Sequence, residues 1–267
     1  MNVSNNNSEK KRYISSNKKV ALVTGGANGI GAAMSKTLSN AGHRVMIADR
    51  DADNGQVFAD AINATFIQVD LSEASACKKL INTTAEQLGS VDILVNNAGF
   101  QHISTLAEFP EDTWNTMMDV MLKAPFLLTK YAWPYMQKKQ WGRVINIASI
   151  HSIVASANKS AYITAKHGLI GLTKAAALEG GEDGITVNAI SPAYVRSALV
   201  EKQLEAQAKA NNISENEVLQ QILLKNASIK RLIEPQEVAD LVLMLCAENS
   251  KSITGSNLTI DGGWTAQ

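Results

Sequence analysis

Val20-Ala21-Leu22-Val23-Thr24-Gly25-Gly26-Ala27-Asn28-Gly29-Ile30-Gly31 is the stretch from which the fold is read. An apolar run enters a glycine cluster, and a helix-periodic segment over 29–41 follows. The pattern predicts strand, tight turn and helix. Glycines let backbone approach a phosphate closely, and the N–H groups and dipole of the following helix favour an anion. The spacing Gly25-x-x-x-Gly29-x-Gly31 departs from the commoner Gly-x-Gly-x-x-Gly fingerprint, but the strand–turn–helix setting points to a nucleotide site. Its candidate residues are Gly25, Asn28, Gly29, Ile30 and Gly31.

That first unit is repeated in rhythm downstream. Apolar runs at 44–48, 65–69, 93–95, 143–148, 186–190 and 257–260 alternate with helical patterns at 52–62, 72–88, 111–138 and 159–179. Such alternation implies parallel strands joined by right-handed crossovers. The runs lack clean polar alternation, which suits a sheet covered on both faces. The expected fold is α/β, a single-domain Rossmann-like doubly wound parallel sheet with helices on both faces, over residues 18–267. Residues 1–17, rich in Asn, Ser and Lys, read as a disordered polar tail. The polar, helix-favouring segment 194–233 leaves the carboxyl edge of the sheet, where ligands bind, and reads as a helical substrate lid.

The chain has 267 residues, is 45% hydrophobic and has a net charge of +0. It carries no basic field to gather nucleic acid or anionic lipid. No apolar run is long enough to span a membrane, and the N-terminal stretch lacks the apolar core of a secretory signal. A cytoplasmic location is expected. Cys77 and Cys246 lie far apart without metal-ligand spacing and read as buried thiols in a reducing compartment. No metal is expected.

Asp49 ends the second strand, where an acid about 20 residues past the turn accepts hydrogen bonds from an adenosine ribose. The same carboxylate would repel a 2′-phosphate, so NAD is favoured over NADP; the neighbouring Arg50 argues the other way. Asp70, with Leu71 behind it, ends the third strand and could meet the adenine. Asn96-Asn97-Ala98-Gly99 ends the fourth and could line the cofactor ribose. Further on comes Tyr162-Ile163-Thr164-Ala165-Lys166. On a helix, Tyr162 and Lys166 share one face. A cation beside a phenol, whose ordinary pKa is about 10, is expected to pull that value down. A tyrosine tuned in this way can pass a proton to or from an alcohol or carbonyl. Ser149, closing the fifth strand, places its hydroxyl at the same edge.

Thr24-Gly25-x-x-x-Gly29-x-Gly31, Asn96-Asn97-Ala98-Gly99, Ser149, Tyr162-x-x-x-Lys166 and Ser191-Pro192, in that order, resemble the short-chain dehydrogenase/reductase family over about residues 18–267. The resemblance implies that Tyr162 donates or accepts the proton and that Ser149 orients the carbonyl. It implies that Lys166 binds the nicotinamide ribose and lowers the Tyr162 pKa. It also implies that Pro192 and Val195 lie against the cofactor. A homotetramer is implied too, paired through the helices at 111–138 and 159–179. One departure is Met121, which stands where the family has an Asn completing a tetrad.

Asn97-Ala98-Gly99-Phe100-Gln101-His102, Ile150-His151-Ser152, Lys159-Ser160-Ala161-Tyr162, Leu199-Val200-Glu201-Lys202-Gln203 and the ending Asp261-Gly262-Gly263-Trp264 are similar to the 3-hydroxybutyrate dehydrogenase branch of that family. The similarity implies reversible, NAD-dependent oxidation of (R)-3-hydroxybutyrate to acetoacetate, with the small hydroxy or keto acid held by its carboxylate on Gln101, His151, Lys159 and Gln203. Charge-assisted donors are what a small carboxylate needs. Tyr194 stands where a Trp lines the small alkyl end in some relatives. Trp264 either closes the pocket or packs between subunits. The rival readings are another short-chain enzyme, such as a 3-oxoacyl-thioester or sugar reductase, and a non-catalytic NAD-binding sensor, for which Met121 is the only support.

Overall fold

A computed structural model describes residues 18–197, 200–201, 204–205, 208–209 and 212–266. The tail expected at 1–17 and Gln203 lie outside the described residues. β1 (Val20–Thr24) is wholly buried and pairs in parallel with β2 (Arg44–Asp49) on one side and β4 (Ile93–Asn96) on the other. With β3 (Thr65–Gln68), β5 (Gly142–Ile147), β6 (Ile185–Pro192) and β7 (Asn257–Ile260) it makes a seven-stranded parallel sheet of order β3-β2-β1-β4-β5-β6-β7. The chain runs outward from β1 to β3, then returns to start again at β4. The crevice at the carboxyl ends of β1 and β4 is therefore the switch point at which open α/β sheets bind ligands.

The strands are apolar throughout because successive side chains feed two different cores. Val23, Ile47, Val95 and Ile145 face one core, with Met34 and Leu38 of α1 (Gly29–Asn40) and Val238 and Val242 of α7 (Pro235–Cys246). Their neighbours Leu22, Met46, Leu94 and Val144 face the other core, with Leu80 and Ile81 of α3 (Ala74–Leu88) and Leu128 and Met136 of α5 (Ala124–Lys139). Helix α2 (Ala52–Ala61) and helix α6 (Ser160–Gly180) complete the covering layers. Cys246 and Cys77 sit one in each core, and burial pushes their thiols up to about 12 and about 11.

Three differences from the sequence expectation have physical causes. The segment 111–138 is not one regular helix: α4 (Glu111–Met118) passes through a π-helical turn at Asp119–Lys123 into α5. Helix α3 starts at Ala74 rather than at 72, because Ser72 donates from both its N–H and its hydroxyl to Asp70 in a local turn. The third difference is α7, an unassigned helix. Its signals are a proline at the first helical position and a capping box between Glu234 and Glu237.

The segment 194–233 carries its own small core, in which Val218, Leu223, Leu224 and Leu232 pack with Val200 and Leu204. Its described helical parts are short, including one turn at Glu215–Glu217 and a π-helical stretch at Val218–Leu223. Its two ends are tied together, since Arg196 N–H donates to Ile233 and Ile233 N–H donates to Tyr194.

Candidate active site

A cavity of about 530 Å³ opens at the carboxyl edge of the sheet, across the switch point. Its first end is built by the glycine turn. Asn97 stitches that turn to β4, its amide nitrogen donating to the carbonyls of Thr24 and Gly25 at 3.0 Å each. The Thr24 hydroxyl accepts the N–H groups of Asn97 and Ala98. A side chain at Gly31 would run into the Gly25 carbonyl and Asn97, so only glycine lets α1 start this close to the turn. The N-terminus of α1 is left open. Asn28 makes no capping bond, its first turn holds no acid, and a β-carbon at Gly29 (φ +53°) would meet nothing within 4 Å. Unfilled N–H groups at a helix start lining a cavity fit a phosphate.

Asp49 also lines the cavity, with its carboxylate accepting Ala27 N–H at 3.1 Å and Asp51 N–H at 3.2 Å. The cap of α2 is Asp51, so Asp49 is not spent on that role. Asp70, Leu71, Ala98 and Gly99 line the same end, as does the exposed Arg50. Hydrogen bonds from Ser72 hold the Asp70 carboxyl below its ordinary range.

The other end gathers side chains from β5, the loop after it and α6. Ser149 starts a single 3-10 turn (Ile150–Ser152), and its hydroxyl accepts His151 N–H at 3.2 Å. Tyr162 and Lys166 project from α6, one turn apart, into the same space. The net shift of the Tyr162 pKa is upward, opposite to the lowering expected from Lys166. Its ammonium donates to the Ile147 carbonyl at 2.7 Å and lies 5.6 Å from the centre of the phenol ring. Burial raises the phenol's pKa, and the hydrogen bond from Ser149 pulls only weakly the other way. Burial also brings Lys166 down to about 8.

Gln101, His151, Lys159 and Tyr194 line this end as well. His151 is buried, and desolvation, with Lys159 and His167 nearby, lowers its pKa to about 4, so the ring is neutral at neutral pH. Lys159 is buried too and its pKa is lowered by desolvation. Among the described residues no hydrogen bond or ion pair engages its ammonium. Pro192 at the end of β6 and Val195, in an isolated β-bridge with Ile233, also line the cavity. Of the two positions expected for Trp264, the one closing the pocket is not taken up. Trp264 packs with Tyr194 against the small core of the 194–233 segment, outside the cavity lining. Val120 and Ser197 line the cavity without having been singled out from the sequence. No motif spacing marks them, because they reach the cavity only through tertiary packing.

The sequence profile described as enoyl-(acyl carrier protein) reductase matches residues 25–265. The chain belongs to the short-chain dehydrogenase/reductase family. It is an oxidoreductase of that family, whose dehydrogenases use nicotinamide cofactors. It is 42% identical over 255 residues to an uncharacterized oxidoreductase, YxjF, of Bacillus subtilis, covering 94% of this chain and 99% of the relative. It is 41% identical over 256 residues to D-beta-hydroxybutyrate dehydrogenase of Rhizobium meliloti, covering 93% and 99%. A protein of the same name from Cupriavidus necator is 37% identical over 256 residues, covering 94% and 99%. The open α1 N-terminus, Asp49 and the long cavity fit a nicotinamide dinucleotide. Among the described residues no group of three or more His, Cys, Asp or Glu is placed to hold a metal ion, and no helix is long and apolar enough to cross a membrane.

Proposed function

We propose that this short-chain oxidoreductase interconverts (R)-3-hydroxybutyrate and acetoacetate with NAD. The observation that carries the reading is Lys159, a buried ammonium that lines the cavity without an anionic partner among the described residues. A buried charge is costly unless it is paired, and a substrate carboxylate would complete it. Gln101 and the neutral His151 line the same end as further polar contacts, and Tyr194 would line the small alkyl end. The similarity to two D-beta-hydroxybutyrate dehydrogenases supports the same choice. Gln203, on the proposed lid at 194–233, would add a fourth contact on closure.

Tyr162 carries the proton. Burial favours its neutral phenol in the empty site, which suits protonation of the ketone in the reducing direction. In the oxidising direction the phenol must first give up that proton, and the buried Lys166 alongside favours the resulting phenolate. Ser149 hydrogen-bonds the reacting oxygen. NAD, when bound, supplies the hydride acceptor, and the chain supplies binding, orientation and a drier site. Gly25, Asn28, Gly29, Ile30 and Gly31 would hold the phosphates. Asp49 would hold the adenosine ribose, and its carboxylate supports NAD over NADP. Asp70 and Leu71 would meet the adenine, and Asn97, Ala98, Gly99, Lys166, Pro192 and Val195 the nicotinamide half. On the same reading the chain forms a homotetramer through α5 and α6, where the exposed apolar Phe126 and Leu178 support an interface.

The test is NADH absorbance with purified protein, NAD and (R)-3-hydroxybutyrate, run beside the (S) enantiomer, NADP and Tyr162→Phe. Turnover specific to NAD and the (R) acid, lost in Tyr162→Phe while NAD still binds, is the expected result. NAD binding without turnover of that acid would overturn the substrate assignment.

A further inference from the structure

Ser156 lies in the loop between the 3-10 turn and α6, outside the cavity lining. Its hydroxyl is 2.9 Å from His151 Nε2, and the other ring nitrogen, Nδ1, is 3.5 Å from the Ser149 hydroxyl. The imidazole thus bridges a loop serine to the serine at the centre of the site. We propose that Ser156 is a positioning residue that fixes the tautomer of His151 and, through it, the direction in which Ser149 offers its hydrogen. The inference rests on the reading above in one respect, that Ser149 meets the reacting oxygen.

A count of hydrogens makes the argument. Ser149 has one hydrogen and two lone pairs. One lone pair takes His151 N–H. The bond with Ser149 acts to lower the phenol's pKa, as donation to the phenol oxygen does, and this assigns the hydrogen to Tyr162. What remains for Nδ1 is the second lone pair, so Nδ1 must carry a proton. The ring is neutral, as its burial beside Lys159 and His167 requires. Nε2 is then bare, and it needs a donor, which is the Ser156 hydroxyl. Which ring nitrogen is protonated is set by the bond the other one makes. In the opposite tautomer a bare Nδ1 would draw the Ser149 hydrogen away from the phenol and from the substrate oxygen. The edge of the His151 ring faces the Tyr162 ring at a centroid distance of 6.1 Å, so the imidazole is also packed against the group it serves.

The test uses the full-chain protein labelled with ¹⁵N-histidine, with the His151 signals assigned by their loss in His151→Gln. The expected spectrum at neutral pH has a protonated Nδ1 and a bare Nε2, and Ser156→Ala moves it toward a mixture of tautomers. Ser156→Ala is expected to lower kcat on the order of tenfold or more, since a histidine held in the wrong tautomer is costly even where the geometry around it is intact. The KM for NAD stays unchanged, and Ser156→Thr, which keeps the hydroxyl, restores kcat. A protonated Nε2 in the unmodified protein, or full kcat in Ser156→Ala, would overturn the proposal. The spectrum reads the tautomer without turnover. An expected spectrum with no oxidation of hydroxybutyrate would therefore sink the substrate assignment and leave the role of Ser156 standing.

Discussion

Lys159 loses most of its hydration when the chain folds and gains no anion in exchange among the described residues. Its burial is therefore a cost that an anionic ligand can remove. Hydrogen bonds to charged groups are worth about 1.5–3 kcal/mol, and each 1.4 kcal/mol is about a tenfold change in affinity. Lys159→Gln is accordingly expected to raise the KM for the hydroxy acid by about 10- to 100-fold while changing kcat much less. Steady-state kinetics decide it; an unchanged KM would remove the carboxylate from this position. Much of the site at this scale was legible in the sequence, because Ser149, Tyr162 and Lys166 fall at strand ends and at helical spacing. What was not legible was electrostatic. Tyr162 and Lys166 share a helix face as expected, yet each is shifted by burial more than by the other, and burial depends on residues far away in sequence. Ser156 carried no signal at all, since a loop serine acquires a role only when the fold brings a ring nitrogen to it.

At the scale of elements, the π-helical turn between α4 and α5 decides what reaches the site from that side. It holds Met121, which is 1% exposed in an apolar cluster with Met117, Ala161 and Ala165. The Met121 sulfur lies 3.2 Å from where a β-carbon on Gly99 would stand, so the side chain fills the space behind the Asn97-Ala98-Gly99 turn. An amide put there would be buried among carbon and sulfur. Met121→Asn is therefore expected to destabilise the protein by about 1–3 kcal/mol, read as a lower urea midpoint at unchanged slope. A midpoint that stays or rises would mean that the pocket offers the amide a partner. The strands were legible because their apolar runs are short and bounded. The break in 111–138 was not, because a π-helical turn leaves the apolar pattern of α4 and α5 intact and adds only a local register shift. Helix α7 was missed although its proline, its acids and its apolar spacing were all present, because the preceding polar segment obscured where regular structure resumes.

For the whole molecule, folding alters how protons are held, and stability follows. Unfolded, His151 takes a proton near its ordinary value of 6.5; folded, burial and Lys159 delay this to about 4. Between those values the unfolded chain holds the extra proton, so stability falls as the pH falls through that window. The cumulative loss is on the order of 3 kcal/mol. Asp92 extends the loss at lower pH. Burial works to raise its carboxyl, but the Lys139 ammonium at 2.6 Å, Val20 N–H and the Ser90 hydroxyl together hold it below 3.8. Its contribution is present above that value and is lost as the pH drops through the folded one. Lys166 acts at the other end of the scale. With its folded value lowered to about 8 from 10.5, the empty protein gains stability as the pH rises between the two. The acid limb thus has an upper segment to which His151 contributes together with His43, whose pKa burial also lowers, and a lower segment to which Asp92 contributes. His151→Gln is expected to make the segment between pH 6.5 and 4 shallower, with His43 still contributing, and to leave the segment below it in place, as measured by urea unfolding across that range. If variant and unmodified protein lose stability in parallel from pH 6.5 to 4, the imidazole is not held neutral by the fold, and the tautomer argument for Ser156 loses its premise with it.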